Sequence, residues 1–143
     1  MRHPLPSLAA THAFAARLAA QVRPGDAILL EGPLGAGKSE LARAVLRAIT
    51  GDPTLEVPSP TFTLVQSYDT PRGPVHHFDL WRLDGPAALA ELGWDDLSRD
   101  IVLVEWPDRL GDLIPPESLT IRLEPTGPES RTADIDGWPD RLA

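Results

Sequence analysis

The chain has 143 residues, 13 basic and 21 acidic, with a formal charge of −8 and no cysteine. That length suits one domain, residues 1–143, and leaves no room for a second catalytic domain, while the missing thiols exclude disulfide frameworks, thiolate metal sites and cysteine nucleophiles. The acidic balance opposes unaided binding to a polyanion, so any nucleic acid is expected to be held mainly through a partner. In chain order, Met1 to Pro6 carries two prolines and lacks a signal-peptide pattern. Ser7 to Val22 is alanine-rich, with Leu8, Phe14, Leu18 and Val22 near helical spacing and Ser7 as its N-cap. Arg23-Pro24-Gly25-Asp26 stops that helix. Ala27-Ile28-Leu29-Leu30 reads as a strand buried on both faces, and it runs directly into a glycine loop. From Ser39 to Ile49, Leu41, Ala44, Val45, Ala48 and Ile49 form one stripe opposite Arg43 and Arg47. Thr61 to Tyr68 alternates, and after the Pro71-Arg72-Gly73-Pro74 turn Val75 to Trp81 completes a hairpin in which Asp79 shares a face with His77 and Trp81. Pro86 to Leu92 predicts a short helix. Ile101 to Val104 is a second buried strand ending at Glu105, and Leu119 to Leu123 with Thr132 to Ile135 make a last strand pair. No apolar run approaches a membrane span, so the chain is expected to be cytoplasmic and to touch no membrane.

The chemistry concentrates at Gly32-Pro33-Leu34-Gly35-Ala36-Gly37-Lys38-Ser39, which matches the phosphate-binding pattern G-x-x-x-x-G-K-[ST] at every fixed position. Lys38 is the only lysine among the 13 basic residues. A loop that wraps phosphates closely needs a compact ammonium on a flexible stem, where a guanidinium fork would be too large. Gly35, Ala36 and Gly37 would aim backbone N–H groups at a β-phosphate, aided by the partial positive charge of the next helix. Leu34 and Glu40 complete the predicted nucleotide-binding stretch, and the Ser39 hydroxyl suits Mg²⁺. Glu105 ends a buried strand where a carboxylate can serve the metal, and Asp79 is a second acid among large apolar residues. One of them touches the metal and the other positions water; the sequence does not decide which. Ser59-Pro60-Thr61 is a candidate γ-phosphate-sensing loop, with a plain turn as the alternative. His76 and His77 face opposite ways on a strand and are expected to be packing or surface residues. Trp81, Trp94 and Trp106 are expected in the core or at an interface. Without asparagine no N-K-x-D guanine-reading motif exists, so ATP is the expected nucleotide; a small-molecule kinase or a nucleotide-gated binding module are the alternatives.

In order, Gly32 to Ser39, Ser59 to Val65, His77-Phe78-Asp79-Leu80-Trp81-Arg82-Leu83, Glu91-Leu92-Gly93 and Val104-Glu105-Trp106-Pro107 resemble the TsaE (YjeE) family of small bacterial ATPases. The resemblance spans roughly Ser7 to Gly137. It implies an α/β fold: a P-loop NTPase-like three-layer sandwich with a mixed, mostly parallel central sheet, an antiparallel hairpin and helices on both faces. It further implies a role in forming N6-threonylcarbamoyladenosine beside the anticodon of tRNAs that read codons beginning with A. In that role the ATPase docks on a complex of TsaB and TsaD, and ATP hydrolysis supports its repeated turnover. Position by position, Lys38 becomes a phosphate ligand and Ser39 with Glu105 the Mg²⁺ ligands. Thr61 falls in a switch-like segment, Asp79 in the second acidic motif, and Ser7 and Arg131 beside the base. Pro33 stands where the family commonly has Asp, and Ser39 where it commonly has Thr. Serine keeps the metal-binding hydroxyl, whereas proline stiffens the start of the loop.

Overall fold

The computed structural model describes residues 1–60, 63–116, 118–138 and 141. Its elements are β1 (Arg2–Leu5), α1 (Leu8–Gln21), β2 (Ala27–Glu31), α2 (Lys38–Thr50), β3 (Val65–Thr70), β4 (Gly73–Asp79), α3 (Trp94–Leu97), β5 (Ile101–Glu105), β6 (Ser118–Pro125) and β7 (Arg131–Asp136), with 3₁₀ segments at Pro86–Leu92 and Pro107–Leu113. The strands form one seven-stranded sheet in the order β1-β7-β6-β2-β5-β4-β3. Its centre, β6-β2-β5-β4, is parallel, and antiparallel pairs close both sides, β3 on β4 and β1-β7-β6 on the other edge. The apolar runs of β2 and β5 are covered on both faces, as central parallel strands require. On one face α1 and α2 pack Phe14, Leu18, Leu41 and Val45 against Ile28, Leu30, Leu103 and Ile121. On the other, Leu89, Trp94 and Leu110 cover Leu29, Phe78, Val102 and Val104. The result is the expected three-layer sandwich with its antiparallel hairpin.

Local signals act where the sequence places them. The Ser7 hydroxyl accepts the Ala10 N–H at 3.1 Å and starts α1, while Gly51 ends α2 in the left-handed region and donates to the Arg47 carbonyl. Several elements differ from the sequence reading. Strand β3 begins at Val65 and not at Thr61, because Leu64 takes φ 69° and its N–H turns to the Pro60 carbonyl. Thr61 and Phe62 lie outside the described residues. Strand β4 stops at Asp79, short of Trp81, where the carboxylate accepts the Trp81 N–H at 3.0 Å and bends the chain. Strand β1 was not anticipated; it survives Pro4 because it lies at the sheet edge, paired with β7 alone.

His76 is buried, not at the surface. A carboxylate accepts only, so its Nε2–H donates to Asp100 at 2.9 Å, and its Nδ1 is hydrogen-bonded to the Ser67 hydroxyl at 2.7 Å. That chain ties the β3–β4 hairpin to the segment before β5. Near the start of β2, the buried Asp26 carboxylate accepts the Arg23 N–H at 2.7 Å and a two-pronged contact from Arg141.

Candidate functional site

Strand β2 must turn into α2 beside β6, and the glycines make that turn. A Cβ on Gly32 would stand 2.5 Å from the Leu123 carbonyl oxygen, so the loop leaves the sheet in contact with β6. Gly35 and Gly37 take φ 79° and 98°, a region that suits glycine. Gly37 caps α2 with no side-chain hydrogen bond, which leaves the first N–H groups of the helix aimed at the cleft in front of it. That cleft has a volume of about 410 Å³ and is lined by residues 34–40 together with Ser59, Asp79, Trp81, Glu105 and Trp106.

Lys38 is 5 % exposed and donates to the carbonyls of Gly32 and, at 3.0 Å, Pro33. Its ammonium lies 3.8 Å from the centroid of the Trp106 ring, a cation–π contact. Burial holds its pKa below the ordinary lysine value of 10.5, while the carboxylates of Glu105 and Asp79 act in the opposite sense. Behind it, the Ser39 hydroxyl donates to Glu105 Oε1 at 2.9 Å, and His77 Nε2–H donates to Glu105 Oε2 at 2.7 Å. Asp79 pairs in register with Glu105 across β4 and β5, so both acids leave the sheet on the α2 face. Nine of the predicted residues, the loop positions 34–40 with Asp79 and Glu105, thus line one cleft.

The donor set fits magnesium. A hydroxyl and a carboxylate are hard oxygen ligands of the kind it takes, and the hydrogen bond of Ser39 to Glu105 brings one of each together. Among the described residues no group of three His, Cys, Asp or Glu side chains is placed to hold a metal.

Two of these nine residues stand at the edge of the cleft, and Ser7 and Arg131 lie outside it. Leu34 lines the mouth of the cleft and is 73 % exposed. Glu40 lines it too, with its carboxylate bonded to Arg43 at 2.9 Å and to His12 at 3.3 Å. Ser7 is not a lining residue; its hydroxyl caps α1. Arg131 stands behind the loop, 8 % exposed, with Nη1 lacking a hydrogen-bond partner among the described residues. Thr61 lies outside the described residues. His77, read as a packing or surface side chain, is buried against Glu105, and its place two residues before Asp79 on the same strand face was the signal available. Trp81 and Trp106 meet at the cleft with ring centroids 4.4 Å apart and planes tilted by 46°, whereas Trp94 is in the core as expected.

Both glycines hold a positive φ that a Cβ would strain. A Cβ on Gly37 would in addition displace the Arg131 guanidinium, the far end of a flexible side chain, whereas one on Gly35 would meet nothing within 4 Å. Gly35→Ala and Gly37→Ala are each expected to destabilise the fold by about 1–2 kcal/mol. Thermal melts of the two variants check this, and wild-type midpoints in both would contradict it.

A parallel sheet centre, a glycine loop joining β2 to α2 and an acid at the end of the neighbouring strand define the P-loop NTPase-like α/β class. The crystal structure of Bacillus subtilis YdiB superposes with a TM-score of 0.77 at 27 % identity, covering 99 % of this chain and 87 % of that one. Residues 5–133 match the family model of the threonylcarbamoyl adenosine biosynthesis protein TsaE. Among curated relatives, the tRNA threonylcarbamoyladenosine biosynthesis protein TsaE of Rickettsia prowazekii is 34 % identical over 93 % of this chain and 92 % of its own length. That of Synechocystis is 41 % identical over 76 % of this chain and 71 % of its own. The chain belongs to the TsaE family, which acts in tRNA threonylcarbamoyladenosine biosynthesis.

Proposed function

We propose that this chain binds Mg²⁺-ATP in the cleft and hydrolyses it to ADP and phosphate, and that it does so docked on TsaB and TsaD, where hydrolysis supports repeated rounds of N6-threonylcarbamoyladenosine formation. The observation that carries the reading is the contact of Ser39 with Glu105, 66 residues apart in sequence, beside a lysine already held at the loop. In this mechanism the loop N–H groups and the Lys38 ammonium take the β- and γ-phosphate oxygens, Lys38 exchanging two backbone carbonyls for them. Ser39 and Glu105 would hold magnesium, which, when bound, neutralises phosphate charge as it builds in the transition state. Asp79, across from Glu105, orients the attacking water, and the switch-like segment containing Thr61 is assigned to the γ-phosphate. The base is assigned to the sheet edge where β1 pairs with β7, since Leu5, two residues before Ser7, pairs with Arg131.

No arginine lines the cleft among the described residues, and an arginine finger is worth about 10³–10⁵ in rate, so turnover by the chain alone is expected to be slow. Leu34 at 73 % and Trp81 at 43 % exposure form an apolar rim at the cleft mouth, which supports docking of a protein partner there. The tRNA is reached mainly through that complex, given a net charge of −8.

Composition supplies the test. An amine-reactive probe can modify Lys38 and the chain's α-amino group and no other amine. Because burial lowers its pKa, Lys38 keeps more neutral, reactive amine at a given pH than an ordinary lysine. Peptide mapping should show Lys38 labelling suppressed by Mg²⁺-ATP and not by GTP. Labelling that ignores ATP would remove the site, and equal protection by both nucleotides would remove the choice of base.

A further inference from the structure

We infer that His77 is a positioning residue for the metal site: its imidazole fixes the orientation of the Glu105 carboxylate so that Oε1 faces Ser39. The inference rests on the magnesium site proposed above and adds a residue to it. His77 is 1 % exposed, and its Nε2 stands 2.7 Å from Glu105 Oε2. An ionised carboxylate accepts only, so the proton lies on Nε2 and its direction is defined. The opposite oxygen, Oε1, accepts from Ser39 at 2.9 Å. One carboxylate is therefore held at both ends, by the hydroxyl of α2 and by a side chain of β4. With both oxygens bonded, rotation about the terminal Glu105 torsion would break two buried hydrogen bonds together.

The second ring nitrogen sharpens the assignment. His77 Nδ1 is buried with no hydrogen-bond partner among the described residues. A histidine kept for packing would be replaced at little cost by an apolar side chain, since leaving a buried polar nitrogen unmet is unfavourable. What the imidazole contributes that an apolar side chain lacks is the donor at Nε2. Groups that hold a metal-binding side chain from behind in this way alter metal affinity or activity by about 10–100-fold when removed.

The test separates donor from volume. His77→Met fills similar space without a donor, and His77→Gln places an amide N–H near the position of Nε2. Binding of a fluorescent, non-hydrolysable ATP analogue is titrated with magnesium for each folded variant, alongside binding with EDTA. The expected result is a magnesium requirement raised about 10-fold or more in His77→Met, largely restored in His77→Gln, with metal-free nucleotide binding unchanged in both. Should His77→Met fail to melt cooperatively, His77→Asn, whose amide stops one carbon short of Glu105, takes its place. A magnesium requirement equal to wild type in the donor-free variant overturns the inference while leaving the site intact. Equal losses in Gln and Met variants would overturn it too, by assigning His77 to packing. A wild-type protein indifferent to magnesium would instead remove the site reading itself.

Discussion

Replacing Lys38 by alanine is expected to reduce ATP hydrolysis to background and to weaken ATP binding by roughly 10²–10⁴-fold. Two charge-assisted hydrogen bonds to phosphate oxygens are at stake, each worth about 1.5–3 kcal/mol, and no other lysine exists to replace them. The fold should survive. Burial already disfavours the charged form of Lys38, so the folded chain binds that proton more weakly than the unfolded chain. This unfavourable contribution is present at neutral pH and fades as the pH rises towards 10.5, and the substitution removes it together with the opposing hydrogen bonds to Gly32 and Pro33 and the contact with Trp106. Calorimetric titration with ATP, paired with a thermal melt, separates the two effects: binding lost, cooperative unfolding kept. Wild-type affinity in Lys38→Ala would end the phosphate reading.

Substitution of Glu105 by alanine should lower magnesium-dependent hydrolysis by about 10²-fold or more, in line with losing an anion that stabilises a bound ion. It also strips both Ser39 and His77 of the acceptor they share, leaving a buried imidazole without its partner. A loss of stability of about 1–3 kcal/mol is therefore expected alongside the catalytic loss. Glu105→Gln keeps the shape and lets the catalytic part be read alone, because the amide oxygen still accepts a hydrogen bond. Asp79→Asn is the control. A raised magnesium requirement in Glu105→Gln, with Asp79→Asn affecting turnover at saturating magnesium, assigns the metal to the first acid and the water to the second; the reverse pattern would exchange the roles.

Much of the fold was legible because its signals are local. Ser7 caps α1, the apolar run at residues 27–30 is a doubly covered strand, and the glycine loop lies between that strand and α2. Strand β1 was not legible: Pro4 argues against a strand, and its pairing partner is β7, at the other end of the chain. The early end of β3 was misread because alternation in the sequence does not reveal the left-handed turn at Leu64. At the site, the left-handed backbone of Trp106, φ 59°, brings its ring over Lys38, a geometry no pattern of residue types carries. Arg131 was read as flanking a base, and the structure adds its contact with the back of Gly37.

The amino-acid order alone determined the glycine loop: glycines where the backbone needs positive φ, a single ammonium, and a hydroxyl one residue later, all within eight consecutive positions. Long-range packing decided the rest. Ser39 meets Glu105 across 66 residues and Glu105 meets His77 across 28, because β5 inserts between β2 and β4 in parallel register. That strand order follows from covering the apolar faces of β2 and β5 on both sides, a free energy summed over the whole sheet. No short stretch of sequence encodes it.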